Sequence, residues 1–129
     1  MSHYATIPTQ FKYLDELVEA LEAIYNHVEV HEKPQHLYGY QGDKRKQMAE
    51  VIVRRQFISG LSNDLGFKLN ERTGCYEMIV SEYDSKQGKV NQQRIITEYV
   101  QRVVKNRLPR GKYRVLSTKK NEIRLQVIA

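Results

Sequence analysis

Three side chains with metal-ligand chemistry, His27, Glu29 and His31, alternate with Val28 and Val30. In an extended chain successive side chains point to opposite faces, so the two imidazoles and the carboxylate share one face. Two His and a carboxylate form the ligand set of a facial iron or zinc site. Same-face neighbours on one strand stand ~7 Å apart, however, twice a rise of ~3.4 Å. A straight strand does not converge three such groups on one ion, so the trio reads as a solvated face. No metal or cofactor is expected. Cys75 is the one cysteine of the chain, and a nucleophilic thiol needs a base and a lowered pKa. No His stands at a spacing that supplies the base. Asp64 and Glu77 are expected on neighbouring strands, where a carboxylate pair could do acid–base work. Lys68 and Arg72 offer Glu77 a simpler ionic role. Gly39-Tyr40-Gln41-Gly42 has the glycines of a phosphate loop but lacks the Gly-Lys-Ser/Thr that would complete one. It reads as a turn beside a packed tyrosine. No catalytic residue is predicted.

Charge is the stronger signal. The 129 residues carry a net charge of +6, divided as −4 over residues 1–30, +1 over 31–83 and +9 over 84–129. The basic residues Arg102, Lys105, Arg107, Arg110, Lys112, Arg114, Lys119, Lys120 and Arg124 crowd the C-terminal third. They are the candidates for binding a macromolecule. Phosphate contacts from such groups give affinity without sequence reading. The competing reading is a solvated helix face and hairpin, since no nucleic-acid motif accompanies the charge. Tyr99 and Tyr113 fit a core better than a stacking platform for bases.

The elements that must position these groups follow from hydrophobic period. Residues 2–9 read as a first strand, with Thr9 as N-cap of a helix. Phe11, Leu14, Leu17, Val18, Leu21, Ile24 and Tyr25 recur at helical spacing opposite Asp15, Glu16, Glu19 and Glu22. Residues 27–31 read as a strand ended by Pro34, Leu37–Tyr40 as a short strand, and Lys44-Arg45-Lys46 as a polar loop. Ala49–Phe57 is an apolar strand, and Leu65–Leu69 with Cys75–Val80 a hairpin. Residues 84–91 read as a connection. A second helix spans Gln92–Asn106, with Ile95, Ile96, Tyr99, Val100, Val103 and Val104 inward. Tyr113–Ser117 and Ile123–Ile128 close the chain as a hairpin. The order β-α-β(several)-α-β-β fits one α+β domain over residues 1–129. It is a two-layer sandwich, a mostly antiparallel sheet with two amphipathic helices on one face. The other face would then be free for a partner or a second copy.

Met1-Ser2-His3 with Ile7 and Thr9-Gln10, then Gly39-Tyr40 and Gly42, Asp64-Leu65-Gly66-Phe67 and Tyr76-Glu77, recur in order and spacing that give the chain its clearest likeness. It resembles the hypothetical chloroplast reading frame number thirty-five proteins, also grouped as domain-of-unknown-function family number 1257. Such proteins occur in plastids, cyanobacteria, other bacteria and some phages. Members are often encoded beside an AAA-type ATPase, so the likeness implies a non-catalytic adaptor or assembly factor that partners such a complex. Within it, His3, Gly39, Tyr40, Gly42, Asp64, Gly66, Phe67, Tyr76 and Glu77 are expected to be structural positions, His3 anchoring the first strand. The alternative is a nucleic-acid-binding protein that uses the basic third. No apolar run approaches the ~18 residues that span a bilayer. A lone cysteine fits a reducing compartment, so the expected setting is cytoplasm or plastid stroma, with homo-oligomerisation open.

Overall fold

The computed structural model describes residues 3–108 together with 113–119 and 122–127. Strand β1 (Tyr4–Phe11) leads to helix α1 (Leu14–Tyr25), then β2 (Glu29–Tyr38) and β3 (Lys44–Val53). A 3-10 turn (Arg55–Phe57) precedes β4 (Leu65–Asn70) and β5 (Cys75–Ser81). A short helix α2 (Glu82–Lys86), the long α3 (Gln92–Arg107), and strands β6 (Tyr113–Lys119) and β7 (Glu122–Val127) follow. The sheet order is β1-β5-β4-β3-β2, every pair antiparallel, and β6 pairs with β7 as a separate antiparallel ribbon. This is the expected α+β architecture.

Both long helices pack on one face of the sheet. Leu17, Ala20, Leu21 and Tyr25 of α1, and Ile95, Ile96, Tyr99 and Val100 of α3, share a core with Phe11, Val51, Val53, Leu65, Phe67, Met78 and Val80. These are the inward stripes expected from the 3.6-residue period. Helix α1 has no side-chain cap at Tyr13. The hydroxyl of Tyr99 accepts instead from the backbone N–H of Lys12 and of Tyr13, each at 3.0 Å. Asn26, at φ +75°, closes the helix with its N–H on the Glu22 carbonyl, a positive φ that Asn adopts more readily than most residues. Asn91 caps α3 by accepting from the Arg94 N–H.

Several local expectations are corrected. Thr9 is no helix cap, because the chain stays extended to Phe11 and its hydroxyl donates to the Tyr76 carbonyl while accepting from the Phe11 N–H. The register between Ile7 and Phe11 slips there. Pro8 lies in that irregular stretch of an edge strand, where its missing N–H costs no ladder bond. Pro34 does not end a strand either. It sits in a bulge where β2 advances from Val30 to Gln35 while β3 moves only from Val51 to Ala49. The Lys44-Arg45-Lys46 run is strand rather than loop, and the apolar strand stops at Val53.

The second sheet face is not free as expected. The β2–β3 hairpin turns back across it: Leu37 and Ala49 are fully buried there with Ile52 and Ile79. The Arg45 guanidinium lies 5.1 Å from the centre of the Tyr4 ring. Arg45 is on β3 and Tyr4 on β1, so the hairpin reaches over β4 and β5 to the far edge. Gly66 makes this approach possible. A Cβ on it would stand 2.8 Å from the Ala49 Cβ and 3.0 Å from Leu37.

Candidate functional site

At one end of this covered face the sequence gathers all but Glu16 of the buried polar residues among those described. Asp64, 2% exposed, immediately precedes β4. Its carboxylate accepts from the Tyr38 N–H at 2.8 Å, the Arg55 N–H at 2.8 Å and Arg54 Nη1 at 2.9 Å. Its backbone N–H donates to the Tyr38 carbonyl, and its own carbonyl accepts from the Tyr4 hydroxyl at 2.7 Å. One residue thus ties β1, the end of β2 and the turn after β3 together. Arg54 also makes a two-pronged contact with Glu29, Nε to Oε2 and Nη2 to Oε1, each at 2.9 Å. Burial alone would lower the Arg54 pKa, but hydrogen bonding to Glu29 and Asp64 raises it. The same guanidinium, with His31, holds Glu29 below the usual carboxylate range against its own burial. Burial, reinforced by the charge of Asp64, raises the Tyr4 phenol.

Asn63 extends the network. Its amide oxygen accepts from the Tyr40 N–H at 3.0 Å, its Nδ2 donates to Ser81 Oγ at 3.0 Å, and its backbone N–H donates to Asp84 Oδ2 at 2.9 Å. Ser81 Oγ donates to Asp84 Oδ2 at 2.7 Å and accepts from the Asp84 N–H, which starts α2. In front of this floor opens a cavity of about 470 Å³. Its walls are His3 at the start of β1, Tyr40 from the hairpin turn, Leu61 and Asn63 from the loop before β4, and Glu82, Tyr83 and Lys86 of α2. The His3 carbonyl accepts from the Glu82 N–H at 2.8 Å, fixing β1 to α2.

The positions singled out in the sequence divide by location. His3 and Tyr40 meet in the cavity, with Asp64 in the network behind it. Gly39 and Gly42 shape the turn: the Gly42 N–H donates to the Gly39 carbonyl, Gly42 has φ +78°, and a Cβ on Gly39 would strike the Asp43 carboxylate at 2.5 Å. Phe67 lies in the helix-side core edge-on to Phe11, with ring centres 6.0 Å apart, and Tyr76 joins the same core. Glu77 registers opposite Lys68 on β4, well away from Asp64, so the two carboxylates form no pair. Cys75 ends the β4–β5 hairpin opposite Asn70. His27, Glu29 and His31 do not converge. Glu29 bonds His31 Nε2 at 2.8 Å and Arg54, while His27 lies against the Phe57 ring at 5.0 Å. No group of three metal-ligating side chains gathers among the described residues.

Of the basic candidates, Arg102 pairs with Glu98 at 3.1 Å, and Arg107 with the buried Glu16 at 2.8 Å while lying 3.9 Å from the centre of the Tyr13 ring. Desolvation opposes ionisation of Glu16, but Arg107 and Asn106 hold its carboxyl below the usual range. Lys105 is exposed. Arg110, Lys112 and Lys120 lie outside the described residues, as do the side chains of Arg114, Lys119 and Arg124. Leu61, Asn63, Glu82, Tyr83, Lys86 and Arg54 were not singled out from the sequence. Ser81-x-x-Asp84 is a helix-start signature, and reading it as one would have placed α2.

These features define an α+β protein with an open antiparallel sheet, a buried polar network and a cavity beside it. The family model described as "Protein of unknown function (DUF1257)" matches residues 20–125, and the chain belongs to that family. No curated protein and no solved structure matches it. No described helix is long and apolar enough to cross a membrane.

Proposed function

We propose that the chain is a small non-catalytic adaptor or assembly factor that works by binding another protein. The observation that carries this reading is the location of its apolar surface. Val30, Tyr38, Tyr40, Phe57 and Leu61 are the exposed large apolar side chains among the described residues, and all come from residues 30–61. Leu61 is 62% exposed and shares a cavity with Tyr40. Apolar groups held at a surface by a rigid polar scaffold are what a protein interface uses for its anchors. The chemistry-bearing groups beside them support the same reading: Asp64, Asn63 and Ser81 spend their hydrogen bonds on Arg54, Asp84, backbone and, between Asn63 and Ser81, one another. An AAA-type ATPase complex is the partner class suggested by the family likeness, in cytoplasm or stroma.

The test is affinity capture from native extract, with and without nuclease, comparing the chain with its Tyr38→Ser/Leu61→Ser variant. A protein partner that survives nuclease and is lost in the variant supports the adaptor. A second reading, nucleic-acid binding, draws on the net +9 of residues 84–129. It predicts material lost to nuclease and to moderate salt. It also predicts loss on changing Arg110, Lys112, Lys119 and Lys120 to Glu.

A further inference from the structure

We propose that the cavity is a binding site for a small zwitterion with a ring, of the class of a free aromatic α-amino acid. Tyr40, Leu61 and Tyr83 supply two aromatic rings and a branched aliphatic group. Tyrosine rings favour a planar partner through edge and offset contacts. The volume of about 470 Å³ falls within the range of small-ligand pockets and exceeds what a short aliphatic molecule would fill.

The charges on the rim select the head group. Glu82 and Lys86 stand four residues apart on α2, so both project from one side of that helix. Neither takes part in the ion pairs formed among the described residues, which lie at Glu29, Asp43, Asp64, Glu98 and Glu16. A carboxylate and an ammonium held side by side complement a ligand carrying both signs. The Glu82 carboxylate accepts from the ligand ammonium, and the Lys86 ammonium donates to the ligand carboxylate. His3 adds a further donor on the same rim. A mononucleotide would bring two negative charges to a rim whose two fixed charges cancel, and an uncharged ring would use neither of them.

The floor gives the site its rigidity. Tyr40 is pinned by its N–H to Asn63, and α2 is pinned by Asn63 and Ser81 through Asp84. The backbone that carries these walls is therefore positioned before a ligand arrives, which reduces the ordering cost of binding. The site shares Tyr40 and Leu61 with the surface of the adaptor reading, and its ligand would act as an effector of whatever that surface binds.

The test is a two-dimensional amide NMR titration of the full chain with L-tryptophan to about 10 mM, a range that captures millimolar affinity. Tryptamine, indole-3-propionate and L-alanine are the comparison probes. The expected result is shift changes clustered at residues 3, 40, 61, 82, 83 and 86. Tryptamine and indole-3-propionate should each bind about tenfold more weakly, as loss of one charge-assisted hydrogen bond dictates. Lys86→Met should weaken tryptophan about tenfold and leave tryptamine unchanged. Glu82→Gln should weaken tryptophan and leave indole-3-propionate unchanged. Both substitutions are at exposed positions, and unaltered spectra away from the cavity will report an intact fold. No clustered shifts with tryptophan, or equal binding of all three indoles, would overturn the proposal.

Discussion

Asp64 is the side chain on which the covered face depends most, and its removal is the sharpest test of the reasoning. In Asp64→Ala the backbone N–H groups of Tyr38 and Arg55 lose their acceptor inside the protein, and Arg54 keeps Glu29 and the His36 carbonyl. Each orphaned buried donor costs about 1–3 kcal/mol, and removing one partner of a buried ion pair costs about 3–5 kcal/mol. The contributions overlap, because the same carboxylate serves all three donors, so a destabilisation of about 3–5 kcal/mol is expected. At about 4 °C per kcal/mol for a chain of this size, that lowers Tm by roughly 12–20 °C. Asp64→Asn keeps one acceptor oxygen and should lose less. Urea unfolding followed by circular dichroism measures both. A cycle with Arg54→Gln should show a coupling of about 1–3 kcal/mol. A loss below about 1 kcal/mol for Asp64→Ala, or additivity within about 0.5 kcal/mol in the cycle, would refute the anchoring role.

Three further outcomes are expected. Gly66→Ala should destabilise by about 1–3 kcal/mol, because the new methyl meets Ala49 at 2.8 Å. Gly60→Ala, with nothing within 4 Å, should be neutral or stabilise by about 0.4–1 kcal/mol, and thermal melts of the pair check this contrast. Tyr99→Phe removes the acceptor for two N–H groups ahead of α1 and should cost about 1–3 kcal/mol in urea unfolding. Burial pushes the Tyr25 phenol from 10.0 up to about 12. The folded state therefore favours the neutral phenol, so its contribution is complete below pH 10 and lost as pH rises toward 12. Unfolding free energy should fall by about 2 kcal/mol across that window from this group, and Tyr25→Phe should flatten the decline.

The helices were legible because each carries a full 3.6-residue stripe, and the residues expected inward from Leu14 to Tyr25 and from Ile95 to Val104 all pack toward the helix-side core. The β4–β5 hairpin was legible for a similar reason, a short turn between two apolar runs. What stayed hidden was long-range. Pro34 and the Lys44-Arg45-Lys46 run carry local signals for a strand end and a loop, yet both sit within strands. A bulged edge strand accommodates the proline, and β2 supplies the hydrogen-bonding partner for the basic run. No local signal announces that Leu37 and Ala49 will cross to Gly66. The cavity was hidden for the same reason, since its walls come from residue 3, residue 40, the loop before β4 and α2.

That crossing accounts for several of the positions that carry the family likeness, while Phe67 and Tyr76 belong to the helix-side core. Gly39 and Gly42 shape the turn of the folded-back hairpin, and Gly66 leaves room beneath it. Asp64 latches it by accepting from Tyr38, and Tyr40 is held by the neighbouring Asn63. His3 lies at the opposite edge, where its carbonyl fixes the start of α2. Here Asp64 is consumed by backbone N–H groups and a guanidinium, while the side chains presented outward are Tyr40, Leu61 and the charged residues of α2. Gly39, Gly42, Asp64 and Gly66 thus serve the closing of one sheet face, and closing it builds the rim of the cavity.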